Sequence, residues 1–231
     1  AIAQPLGMRH DMGREEHGGA PIALGWVAEG SLFGGAALLM GLISVTAVGA
    51  HAVALNLAAI AFQLPFGLAQ AATIRVGYAY GARDPAWITR AGRAALLLGI
   101  GVMVVTAGLF WAVPDLLIRL YVDPAQETAV AGLAVRLLGV AAVFQLFDGA
   151  QAMAAGVLRG VQDTRVPMLI QIAGYWIVGF GAALLLGTAR VDPVGIWWGL
   201  AAGLAFVSVL LLHRWSSRAR LGLLPPVHFS G

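Results

Sequence analysis

Two carboxylates stand inside long apolar runs: Glu29 in P-I-A-L-G-W-V-A-E-G and Asp148 in V-F-Q-L-F-D-G-A-Q-A-M. A charged side chain well inside a bilayer costs about 2.5 to 3.5 kcal/mol on insertion scales, so such residues usually face an aqueous cavity and handle protons, ions or substrate. At 1.5 Å of helix rise per residue, Glu29 lies roughly 10 Å from the start of its run and Asp148 roughly 15 Å from the end of its own. These depths allow the two to share a layer. Two carboxyls in one low-dielectric cavity make a site for a proton or a monovalent cation. The alternative for each is a carboxyl satisfied by a neighbouring helix.

Amides and aromatics surround both acids in the sequence. Gln145 and Gln151 flank Asp148 at helical spacing, and Asn56, Gln63 and Gln70 recur every seven residues. Seven residues at about 100° each fall some 20° short of two turns, so the last three form one polar stripe. Asn56 and Gln63 are expected to wall a wet cavity; the competing reading is interhelical hydrogen bonding, worth about 0.6 to 2 kcal/mol per contact. Phe144 lies one turn from Asp148, while Trp26 and Phe33 flank Glu29 at i−3 and i+4. Their faces could meet a lipophilic cation, or they could simply pack. Gln171 and Tyr175 form a further i, i+4 polar pair, and Arg136 is placed to snorkel to an interface.

Other chemistries lack their residues. The five histidines do not repeat with metal-ligand spacing, so no zinc or other transition-metal centre is expected. There is no G-x-x-x-x-G-K-[ST] phosphate loop and no G-x-S-x-G nucleophile elbow, so ATP hydrolysis in this chain is not expected. The reading is of a protein that is not an enzyme and needs no cofactor beyond a coupling ion.

The elements that must position these residues follow from composition. The chain is 60% hydrophobic and 11% charged, with a mean hydropathy of +0.85, far from the roughly 25% charged residues of a soluble domain. It is expected to be an all-α integral membrane protein. Without cysteine, helix packing alone must hold it. Six segments are apolar over the ~20 residues a spanning helix needs: about 21–43, 50–74, 91–117, 130–158, 167–186 and 195–213. Pro21 and Pro167 are expected at helix starts, where a missing N–H is harmless, and Pro65 inside the second helix, where it predicts a kink.

Residues 1–20 read as a polar linker, 21–213 as the six-helix transmembrane unit and 214–231 as a tail. The chain begins without an initiator Met, and the linker reads as cut from something longer, with no signal peptide. Taken on alternate sides of the spans, eleven of the fourteen arginines fall on one side and only Arg119, Arg136 and Arg190 on the other. Excess arginine marks the cytoplasmic side, which predicts cytoplasmic termini. The same distribution assigns the net charge of +3 to membrane anchoring in the lipid bilayer rather than to nucleic acid.

Four stretches carry a family resemblance: P-I-A-L-G-W-V-A-E at 21–29, A-H-A-V-A-L-N at 50–56, T-I-R-V-G at 73–77, and the Asp148 segment with L-R-G-V-Q-D-T at 158–164. The chain resembles the second six-helix lobe of the multidrug and toxic-compound extrusion (MATE) transporters. The resemblance implies one half of a twelve-helix, pseudo-symmetric transporter in a bacterial inner membrane. The N-terminal lobe of the same protein would be its partner. It implies export of small organic cations or other xenobiotics out of the cell by alternating access, coupled to inward Na⁺ or H⁺, with Glu29 and Asp148 matching the family's acidic residues. Phe144 stands where the family often has Tyr, and Ala52 follows His51 where Gln is usual, so the coupling ion stays open. The rival readings are a related lipid-precursor flippase, expected to line its cavity with arginine, and an intramembrane enzyme using the two carboxylates.

Overall fold

The computed structural model describes residues 8–188 and 190–225. It is helical throughout, with no strand among the described residues, and holds six helices long and apolar enough to cross a membrane. They are α1 (Met8–Ile43), α2 (Val45–Gly81), α3 (Pro85–Ala112), α5 (Thr128–Gly160), α6 (Arg165–Thr188) and α7 (Pro193–Ser216), with a short α4 (Pro114–Ile118) after α3. Within α6, Ala173–Phe180 and Leu184–Thr188 are wound as π-helix.

The breakers seen in the sequence act as caps. The Ser44 hydroxyl accepts the Ala47 N–H at 3.0 Å, Asp84 accepts that of Trp87 at 2.8 Å, and Asp192 accepts that of Val194 at 3.0 Å. Each satisfies an orphan donor of a first turn. After Asp84 and Asp192 a proline follows as the first helical residue, where it has no N–H to lose. Several expected boundaries differ: α1 begins at Met8, so Pro21 lies inside it rather than at its start, α2 extends past both ends of 50–74, and the span expected at 91–117 stops at Ala112, where Pro114 opens the separate α4. The run M-R-H-D-M-G-R-E-E contains Met, Arg and Glu, all good helix formers, and the helix continues through Pro21 despite the hydrogen bond it removes. Pro65 lies inside α2 as expected.

Helix α5 forms the centre, buried along most of its length against α2, α3 and α7. Small residues permit this. A Cβ at Gly156 would lie 2.6 Å from the Ala69 carbonyl oxygen of α2, and the Thr73 hydroxyl donates to the Gly156 carbonyl at 2.9 Å. Backbone contact of this kind is how helices associate where lipid removes the hydrophobic drive. Gly179 of α6 and Gly203 of α7 meet backbone to backbone in the same way.

The arginine-rich end is clasped by charge. Arg214 donates to Asp163 through Nε at 2.6 Å and Nη2 at 3.2 Å, tying α7 to the turn after α5. Arg218 lies 4.3 Å over the Trp215 ring and donates to the Thr89 hydroxyl at 2.8 Å. Burial and then the charge of Arg93 push the Arg218 guanidinium below the ordinary arginine value.

Candidate functional site

A cavity of about 380 Å³ opens between α1, α2, α5 and α6. Its walls are helical faces. Trp26, Glu29, Gly30 and Phe33 line it from α1 at i, i+3, i+4 and i+7, and Phe144, Asp148, Gln151, Ala155 and Arg159 line it from α5 with the same period. Helix α2 contributes Phe62 and Phe66 among alanines, and α6 contributes Gln171. The volume falls within the range of small-molecule sites, which are typically apolar with few converging polar groups.

The polar groups converge on one amide. Gln151 Nε2 lies 3.3 Å from Asp148 Oδ1 and 3.5 Å from Glu29 Oε1, donating toward both carboxylates at once. Its own oxygen accepts from Gln171 Nε2 at 3.2 Å, which fixes the amide with its nitrogen toward the acids. Gly25 makes room for Gln171, because a Cβ there would sit 2.7 Å from its Oε1. Glu29 is half-buried while Asp148 is only 5% exposed. The structure thus brings the two sequence-predicted acids within hydrogen-bond reach of a single nitrogen.

Aromatic rings complete the wall. Phe33 and Phe144 meet edge to face with centroids 5.9 Å apart, and Trp26 and Phe66 pack at 5.8 Å. A ring face near two carboxylates favours a cation with apolar substituents, which gains from the quadrupole as well as from area.

Of the residues expected in the cavity, Phe33, Phe144 and Gln151 line it, whereas Asn56, Gln63 and Gln145 do not. On α2 the cavity face runs through Leu55, Ala58, Ala59, Phe62 and Phe66, and the amide stripe lies about a quarter-turn round from it at ~100° per residue. Asn56 is exposed and spends its amide on the Ala52 carbonyl at 2.8 Å; Gln63 is exposed as well. Gln145 is 1% exposed, pointing into the packed core one residue round from Phe144, and among the described residues neither of its amide atoms is hydrogen-bonded.

Sequence reasoning missed four cavity residues: Phe62, Phe66, Gln171 as the partner of Gln151, and Arg159. Arg159 was counted to the membrane surface with the other arginines. The signal for it was its spacing: eleven residues after Asp148, about 20° from three whole turns. The two therefore share a face.

The MatE family model matches residues 21–185. A probable multidrug resistance protein NorM of Mesorhizobium japonicum is 46% identical over 215 residues, covering 91% of this chain and 45% of the relative. One of Brucella suis is 48% identical over 201 residues, covering 85% of this chain and 42% of the relative. The chain therefore spans a little under half the length of these relatives. A solved eukaryotic MATE transporter, AtDTX14, superposes with a TM-score of 0.80 over 96% of this chain and 51% of its own, at 23% identity, so the likeness there is one of fold. With the family model covering most of the six-helix unit and curated relatives this similar over nearly all of it, the chain belongs to the MatE family.

Proposed function

We propose that this chain is one lobe of a multidrug exporter that expels small organic cations in exchange for inward Na⁺ or H⁺. The observation that carries the reading is the placement of Glu29 and Asp148 on one amide, Gln151, in an aromatic-walled cavity. A coupling ion and an organic cation need the same carboxylates, so binding of one weakens the other, and alternate exposure of the site turns that competition into exchange. A second six-helix lobe supplies the opposite wall and the other half of the rocking motion.

The relatives named as probable multidrug resistance proteins support drug export. A flippase for phosphate-bearing lipids would share Arg159 in its cavity, but one guanidinium against two carboxylates leaves a net attraction for cations. A carboxylate enzyme has no support in the cavity, whose remaining wall apart from Arg159 is apolar or amide.

The eleven-to-three arginine asymmetry supports cytoplasmic termini. Ser44 and Ser216 are exposed at opposite ends of the bundle. Cysteine at Ser44 is expected to label from outside the cell and cysteine at Ser216 from inside; the reverse pattern contradicts this orientation. The function itself is tested in everted vesicles holding the full two-lobe protein. Uptake of ethidium is expected to follow an imposed Na⁺ or proton gradient and to stop when both are collapsed. Uptake indifferent to either gradient contradicts the coupling.

A further inference from the structure

Arg159 is the cation already present in the cavity. It lies on the face of α5 that carries Asp148, three turns nearer the arginine-rich end, and helical side chains lean toward the helix N-terminus, here toward Asp148. It also borders a second, much smaller cavity with Pro21 of α1 and with Thr164 and Pro167, which lie at the arginine-rich end of α6. Trp26, Ala155, Arg159 and Gln171 border both spaces. The guanidinium therefore stands in the wall between the carboxylates and that end of the bundle. Among the described residues it has no carboxylate within ion-pair distance; the ion pair there is Asp163 with Arg214.

From this we infer that Arg159 sets the charge of the cavity, and so selects monovalent over divalent cations. The inference rests on the cation-exchange reading above. Glu29 and Asp148, when ionised, contribute two negative charges, and a guanidinium stays protonated throughout the physiological range. The balance is one negative charge. A single proton on either carboxylate neutralises it, and so does a single monovalent organic cation. The two occupied states are then electrically equivalent, while a dication leaves the low-dielectric cavity with an uncompensated positive charge, which is costly there.

Ethidium and propidium test this, because they share a phenanthridinium ring system and differ in that propidium carries a second quaternary charge. Binding is measured on the whole chain in phosphatidylcholine nanodiscs. Removing one positive charge on the order of 10 Å away, at an effective dielectric constant of about 20, strengthens monocation binding about tenfold and dication binding by the square of that factor. In Arg159→Gln the ratio of propidium to ethidium affinity is thus expected to rise about tenfold, whereas Arg159→Lys, which keeps the charge, stays near wild type.

Glu29→Gln provides an arm independent of how the arginine variant folds. It is expected to move the ratio about tenfold in the opposite direction, and the double variant Glu29→Gln/Arg159→Gln to restore it. A ratio unchanged in folded Arg159→Gln, or a double variant no different from Glu29→Gln alone, overturns the inference while leaving the cation cavity standing. Failure of wild type to bind either dye overturns the cation cavity itself, and this inference with it.

Discussion

Asp148→Asn in the full two-lobe protein is expected to abolish gradient-driven export while the variant inserts and folds as wild type does. Asp148 is 5% exposed and its Oδ1 accepts from Gln151 at 3.3 Å, a contact that the Asn oxygen retains. What the substitution removes is the charge and the exchangeable proton. A buried ionised carboxylate carries a large desolvation cost that a neutral amide of the same shape does not, so thermal stability in detergent is expected to be unchanged or higher. Loss of export together with a lowered melting temperature would instead make Asp148 a structural residue, and export at the wild-type rate would remove it from the coupling site.

The second large effect is on the fold. Gly156→Val is expected to destabilise the chain by about 3 kcal/mol, the upper end of the ordinary range for overpacking. The new side chain would start from a Cβ only 2.6 Å from the Ala69 carbonyl oxygen and 3.2 Å from its Cα, backbone atoms that cannot rotate away. Separating α2 from α5 also lengthens the Thr73 hydrogen bond to Gly156 and displaces the cavity wall that carries Asp148, Gln151 and Ala155. Gly139→Ala on the same helix is the matched control. A Cβ there meets nothing within 4 Å, and replacing a mid-helix glycine with alanine favours the helix by up to about 1 kcal/mol. Thermal unfolding followed by the monodisperse fraction on size exclusion checks both. Equal melting temperatures for the two variants would mean that the α2–α5 contact does not limit stability.

How far the sequence was legible depended on what kind of question each residue posed. Six spans were legible because an apolar run of sufficient length leaves the backbone one way to satisfy itself in lipid, and because Asp84-Pro85 and Asp192-Pro193 are caps as well as breakers. Glu29 and Asp148 were legible because an acid in an apolar run stands out by its cost. The Asn56 and Gln63 stripe lies off this cavity for a different reason. Heptad spacing shows that residues share a face, but a helical wheel has no fixed zero, and only packing decides which face turns inward.

That packing was set by Gly156 on α5 against Ala69 and Thr73 on α2, a contact of small residues whose partners lie more than eighty positions apart. Arg159 was missed because depth was counted from the backbone, and a long side chain leaning toward the helix N-terminus reaches further than its Cα. Gln171 was seen only as a neighbour of Tyr175. Its role depends on Gln151, which faces it across two helices at 3.2 Å.

The claim on which the rest depends is that one cavity holds either the coupling ion or the organic cation on Glu29 and Asp148. Equilibrium binding of radiolabelled tetraphenylphosphonium to the chain in phosphatidylcholine nanodiscs measures it most directly, with Na⁺ or acid as competitor and Glu29→Gln/Asp148→Asn as the comparison. The expected result is saturable binding that one of the two competitors displaces and that the double variant lacks. Saturable binding undiminished in the double variant, and insensitive to both Na⁺ and acid, would contradict the account.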